Sequence, residues 1–193
     1  MRIGEIANIQ SGHQFREKVE TDPHGTMGVI QIKDIPDRRR LTPETIDRIV
    51  FEKPHDAYRV YPGDVLFLSR GHKQFAVAIE HDLGDTIATG YFYIVRLHTT
   101  QIRPDFLAWY LNQPPMQDQF KQLAKGTHMP FVSMAEFREL DIPIPPLPVQ
   151  EHIVALAALA DEEQAILAQI AEKRAHLIQS TCLTAAGATP ARR

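Results

Sequence analysis

Pro143-Ile-Pro-Pro-Leu-Pro148, and the run that follows from Val149-Gln-Glu-His-Ile-Val-Ala-Leu-Ala-Ala-Leu-Ala160 to Thr181 without a proline or glycine, decide the architecture. Four prolines in six residues make a stiff, non-helical connector, so a boundary falls there. Beyond it Val149, Ile153, Leu156, Ala160, Leu167, Ile170 and Leu177 recur in a three-four alternation, with Glu163 and Arg174 standing at two positions of the same seam. That spacing predicts a long amphipathic helix of coiled-coil type over residues 146–184. The small and polar residues 185–193 predict a flexible tail. Without a break, the helix from Val149 to Thr181 runs to about 48 Å, longer than a domain built from residues 1–145 is wide. An apolar stripe of that length asks for a partner.

Upstream, residues 1–145 predict one globular domain. Gly28-Val-Ile-Gln-Ile-Lys-Asp-Ile35 alternates apolar and polar residues and reads as a strand stopped by Pro36-Asp37. Ile46 to Phe51 is a second strand candidate. Pro62-Gly63-Asp64 is a turn that launches Val65-Leu-Phe-Leu-Ser69, and Phe75-Ala-Val-Ala-Ile79 returns as the partner of a hairpin. Thr86–Thr89 and Tyr91–Leu97 are expected to continue the same sheet. The period then changes. Pro104–Leu111 and Met116–Leu123 have helical spacing, separated by Pro114-Pro115. Ser133 with Glu136 is a capping box for a short helix from Met134 to Arg138. The expected class is α+β: a mixed or antiparallel sheet with flanking helices, followed by one long coiled-coil helix.

Composition narrows the chemistry. The single cysteine, Cys182, excludes an internal disulfide and any thiolate-cluster metal site. No apolar run is long enough to span a bilayer, and Met1-Arg-Ile-Gly-Glu5 does not open a secretory leader. A cytoplasmic protein with no membrane partner is expected. The nine histidines show no paired ligand spacing. No Walker loop or nucleophile elbow is present. Asn112-Gln-Pro-Pro-Met116 is out of register with the Asn/Asp-Pro-Pro-aromatic loop of adenine methyltransferases, and reads as a helix break. Pro36-Asp37 lacks the spaced Glu-x-Lys that a metal-dependent nuclease needs. The chain is therefore expected to be non-catalytic, with no cofactor and no metal.

A net charge of −3 neither requires nor forbids nucleic acid, because a local basic face can sit on a neutral body. Three loops carry such chemistry. Arg38, Arg39 and Arg40 follow the first strand on a turn. Arg70, His72, Lys73 and Gln74 form the hairpin tip, mixing cationic and amide donors. Lys125, Thr127 and His128 make a third loop. Cations suit phosphates, and amide or guanidinium forks suit base edges.

Gly4-Glu-Ile-Ala-Asn-Ile-Gln-Ser-Gly12, Val29-Ile-Gln-Ile-Lys-Asp-Ile35, Pro62-Gly-Asp-Val-Leu-Phe-Leu-Ser-Arg-Gly71, Lys125-Gly-Thr127 and Leu140-Asp-Ile-Pro-Ile-Pro-Pro-Leu-Pro-Val-Gln-Glu151 follow one another in this order. In order and spacing they resemble the specificity (S) subunit of type I restriction-modification systems. The resemblance implies a target-recognition domain that reads double-stranded DNA while separate methylation (M) and restriction (R) subunits perform the chemistry. It implies that M subunits dock around Val149–Leu167. A full S subunit carries two recognition domains and two conserved helices paired antiparallel, whereas this sequence carries one of each. It is therefore expected to be a half-subunit that homodimerises through the helix and reads a bipartite palindromic target in phage defence. A piece of a longer, two-domain chain is the alternative, and the start at Met1 favours the half-subunit. A separation near 45 Å would correspond to about 13 base pairs. Two other readings fit the same residues: a helical protein-protein adaptor without DNA binding, and the recognition domain of another phage-defence or fused restriction-methylation enzyme.

Overall fold

A computed structural model describes residues 1–35, 41, 43–51, 56–126 and 128–187. The chain divides into two compact units, Met1–Gln150 and Glu151–Arg193.

The first unit opens with a single helical turn, α1 (Ile3–Ile6), and strand β1 (Ala7–Ser11). Strands β2 (Met27–Ile30) and β3 (Asp47–Ile49) follow. Then come β4 (Asp64–Leu68), β5 (Ala76–Ala78), β6 (Thr86–Ala88) and β7 (Phe92–Leu97). Helices α2 (Pro104–Leu111), α3 (Pro114–Leu123) and α4 (Met134–Arg138) complete the domain.

The strands form two sheets, not one. The larger has the order β1-β7-β4-β5 with every neighbour antiparallel, and the smaller has the order β3-β2-β6. The hairpin pairs Val65 with Ala78 and Phe67 with Ala76, as the turn residues demand. Gly63, at φ +90°, supplies the left-handed backbone of the turn that starts β4. Thr86–Ala88 departs from expectation: β6 pairs parallel with β2 in the smaller sheet instead of extending the larger one. A second departure concerns residues 28–35. The strand stops at Ile30, and Ile32–Asp34 form a 3-10 turn because the Asp34 carboxylate accepts the Gln31 N–H at 2.8 Å. Tertiary burial explains the missing alternation, since all four residues of β2 are buried.

Three layers result. Ile30, Leu66, Leu68, Phe92, Ile94 and Ala88 pack between the two sheets. On the other face of the larger sheet, Phe67 stacks on Phe137 at 4.3 Å and meets Phe120 at 4.9 Å, joining β4 to α3 and α4. Strand β4 is thus buried on both faces, which is why it reads as a continuous apolar run. The sheets meet where β1 ends. Gly12 donates to Phe92 O at 2.9 Å and His13 to Ala88 O at 2.8 Å. A Cβ on Gly12 would run into the carbonyls of Ala88 and Thr89, so only glycine fits this approach.

Pro114 and Pro115 separate α2 from α3 by opening α3, where a missing N–H costs nothing. Asn112, between the two helices, accepts the Ala76 N–H at 2.9 Å and donates to Ala76 O at 2.7 Å. Its amide thereby stands in for a neighbouring strand and blocks the β5 edge.

Helix α5 (Leu147–Ala185, 39 residues) lies within one residue of the expected bounds and takes Leu147 and Pro148 of the proline-rich connector into its first turn. Gln150, in that first turn, is fully buried in the first unit. Its side chain accepts the Arg103 N–H at 2.9 Å and donates to Gln101 O and Pro145 O at 2.8 and 2.7 Å. Among the described residues of the second unit nothing covers the apolar stripe of the helix. Leu156, Ile170 and Leu177 are 70%, 55% and 66% exposed.

Candidate nucleic-acid interface

Strand β4 delivers two different surfaces at its two ends. At its start, a groove of roughly 630 Å³ is lined by Tyr61, Asp64, Arg96, Thr99 and Arg103, among others. Its guanidiniums are already spent. Arg96 grips the buried Asp64 carboxylate with two bonds, at 2.8 and 2.7 Å, and lies over the Tyr61 ring at 4.8 Å. Arg103 forks onto Asp105. The groove therefore has shape but little free positive charge.

At the far end of β4 the chain leaves the sheet as Ser69-Arg70-Gly71. Here a ribbon of backbone bonds gathers loops that are distant in sequence. Val132 donates to Ser69 O at 2.9 Å, and Gly71 donates to Pro130 O at 2.8 Å. Phe131 and Lys125 exchange bonds at 2.9 and 3.0 Å. Ser69 donates both its N–H and its hydroxyl to Tyr91 O at 2.9 Å. Beneath, the buried Tyr93 hydroxyl donates to Val132 O at 2.8 Å and pins the ribbon to the sheet. Burial raises the Tyr93 pKa, so this phenol stays a donor.

Two of the three basic loops expected from sequence are thus brought side by side. Arg70, His72 and Lys73 project from the turn, and Lys125 and His128 from the neighbouring segment, all exposed. Among the described residues, Arg70 and Lys73 make no ion pair, so both charges are free for an anion. Lys125 differs. Its ammonium sits 2.7 Å from Glu136, and with the Ser133 hydroxyl it holds the Glu136 pKa below the ordinary carboxylate value. Glu136 in turn caps α4 through Ser133, so Lys125 braces the loop. Gln74 also differs: it is buried, and its amide donates to Gly71 O at 2.7 Å, shaping the turn from inside. Arg38, Arg39, Arg40 and Thr127 lie outside the described residues.

Sequence reasoning missed the apolar members of this surface. Tyr91, Met129 and Phe131 are 40%, 51% and 39% exposed beside the cations. In the sequence Pro130-Phe-Val132 resembles a core segment, and no local signal says that Phe131 faces out while Val132 is buried. Among the described residues no cluster of His, Cys, Asp and Glu could hold a metal ion, and no helix is long and apolar enough to cross a membrane.

Comparison with known proteins places this arrangement. A search of curated proteins finds no match. The chain is similar in fold to the S subunit of the type I restriction-modification system of M. genitalium, with a TM-score of 0.56 at 16% identity over 92% of this chain and 42% of that one. It is similar to the HsdS subunit of Thermoanaerobacter tengcongensis, with a TM-score of 0.58 at 21% identity over 86% of this chain and 38% of that one. A third structure, described as showing complex assembly and conformational transition of the type I R-M system, gives a TM-score of 0.62 at 21% identity, covering 92% and 42% of the two chains. The chain thus spans about two fifths of the length of these neighbours. The family model for the type I restriction modification DNA specificity domain matches residues 1–172, nearly the whole molecule, and the chain belongs to that family.

Proposed function

We propose that this chain is a non-catalytic, DNA-reading half-subunit of a type I restriction-modification complex. Two copies join through α5, present two identical domains to one duplex, and direct M and R subunits to a bipartite palindromic target. The observation that carries the DNA reading is the ribbon joining Ser69–Gly71 to Pro130–Val132. It holds the unpaired cations Arg70 and Lys73 beside exposed Tyr91, Met129 and Phe131 on one surface. Lys73 supplies salt-dependent phosphate affinity. Arg70 has the fork that suits guanine, and the apolar side chains suit a thymine methyl group. The residues 1–145 form the recognition domain and 146–184 the dimerisation and docking helix. An M subunit then flips an adenine out of the stack, a step for which this chain brings no chemistry.

Salt-titrated DNA binding with M subunits present tests the surface. Arg70→Ala is expected to cost about 1–3 kcal/mol of affinity, and Lys73→Ala to lower the salt slope by about 1. Lys125→Met leaves both nearly unchanged, because that ammonium is committed to Glu136. Absence of binding at low salt with the partner present favours a protein-protein adaptor and ends the DNA reading. Methylome sequencing with and without the chain tests the target. It is expected to reveal two inverted half-sites around an unread spacer. Inserting one heptad in α5 between the recognition domain and the two-fold axis moves each of the two domains outward by about 10 Å and lengthens that spacer by about six base pairs; an unchanged spacer rules out the helix as the ruler.

A further inference from the structure

Glu163 and Arg174 interrupt the apolar seam of α5, and nothing on their own helix accounts for them. The residues three and four positions away from Glu163 are Leu159, Ala160, Ile166 and Leu167. Those around Arg174 are Ile170, Ala171, Leu177 and Ile178. Neither charge therefore has a partner at the spacing where helical ion pairs form, and both are exposed. Each sits in the middle of the stripe that Leu156, Leu167, Ile170 and Leu177 leave open.

We infer that Glu163 of one copy pairs with Arg174 of a second copy across a two-fold axis between Ala168 and Gln169, so that these two charges set the direction and register of self-association. The inference rests on the homodimer reading above. In this register the seam positions face one another as Leu167 with Ile170, Ala160 with Leu177, and Leu156 with Thr181. Large residues meet small ones or apolar ones throughout. The two ion pairs appear symmetrically, one on each side of the axis.

The alternative registers leave charges unanswered. Sliding one helix by a heptad sets Glu163 against Leu167 or Thr181, and Arg174 against Leu156 or Ile170. Each choice strands a charge against a partner that cannot neutralise it, which is costly on burial. A parallel pair in register sets Glu163 against Glu163 and Arg174 against Arg174. The wider charge pattern agrees with the antiparallel choice. The first half of the helix carries Glu151, Asp161, Glu162 and Glu163 with no Lys or Arg, and the second half carries Lys173 and Arg174 against Glu172. A seam charge that fixes orientation at some cost in stability is a known use of polar residues in coiled coils. A second copy is the occupant this stripe fits, because its charges complement themselves under two-fold symmetry.

Charge reversal in the full chain tests the register by sedimentation equilibrium. Glu163→Arg alone faces arginine with arginine, and Arg174→Glu alone faces glutamate with glutamate. Each is expected to weaken self-association at least about a hundredfold. Mixing the two variants restores both pairs, and the heterodimer is expected within about tenfold of the wild-type dimer. A spin label on Cys182, which is exposed, reads direction independently: the two labelled positions should lie about 40 Å apart in this register. Single variants that dimerise like the wild type, a mixture that stays monomeric, or labels in close proximity overturn the register while leaving the homodimer standing. A wild-type chain that remains monomeric, or that pairs only with another subunit, overturns the homodimer and the register together.

Discussion

Gln150 and Leu156 stand close together on one helix and meet opposite surroundings. Gln150 is polar and fully buried, with its amide oxygen and its amide nitrogen both bonded; Leu156 is apolar and 70% exposed. The contrast divides the molecule. In the unit Met1–Gln150, the buried Asp64 is answered by Arg96 and the side-chain amide of Asn112 by the backbone of Ala76. In the unit from Glu151 onward, apolar residues are left uncovered. The first unit packs its apolar residues into a core, and the association proposed above falls to the second. Under that proposal stability and assembly are separable by mutation.

The sharpest test sets two apolar truncations against each other. Phe67→Ala removes a fully buried ring packed on Phe137 and Phe120, and is expected to cost about 3–5 kcal/mol in urea unfolding. Leu156→Ala should change the unfolding of the monomer by less than about 0.5 kcal/mol, while weakening any association through the helix. Equal effects on unfolding would erase the division.

A smaller effect is expected from a matched pair of polar changes. Gln150→Leu strands the Arg103 N–H and the carbonyls of Gln101 and Pro145, at about 1–3 kcal/mol. Gln164→Leu, exposed farther along α5, should be near neutral for unfolding. A neutral Gln150→Leu would mean that the start of α5 is not anchored by this amide.

The smallest effect lies at the joint of the two sheets. The His13 ring is surrounded by Phe15, Phe51 and Tyr58 at 4.6, 5.0 and 5.0 Å. Burial holds its pKa below the ordinary 6.5. The unfolded chain therefore takes up a proton near pH 6.5 that the folded chain refuses. Stability contributed by the neutral ring is complete above that pH, declines as pH falls below it, and levels off under the folded-state value. His13→Phe is expected to flatten this part of the profile when urea midpoints are measured from pH 7.5 to 5. An unchanged slope would assign the pH dependence elsewhere.

Much of the fold could be read locally. Pro62-Gly63-Asp64 starts β4, Ser133 and Glu136 cap α4, and the proline-free run from Val149 becomes α5, because consecutive residues set turn geometry, capping and helical period. Of the proposed recognition surface, the sequence marked the cations Arg70, His72 and Lys73 on their turn. Only the tertiary structure decided that β6 pairs with β2, that Gln74 turns inward, that Lys125 is held by Glu136, and that Phe131 stands beside Arg70. Those outcomes depend on backbone bonds and burial between segments far apart in the chain, and no periodicity within one segment reports which distant segment will complete it.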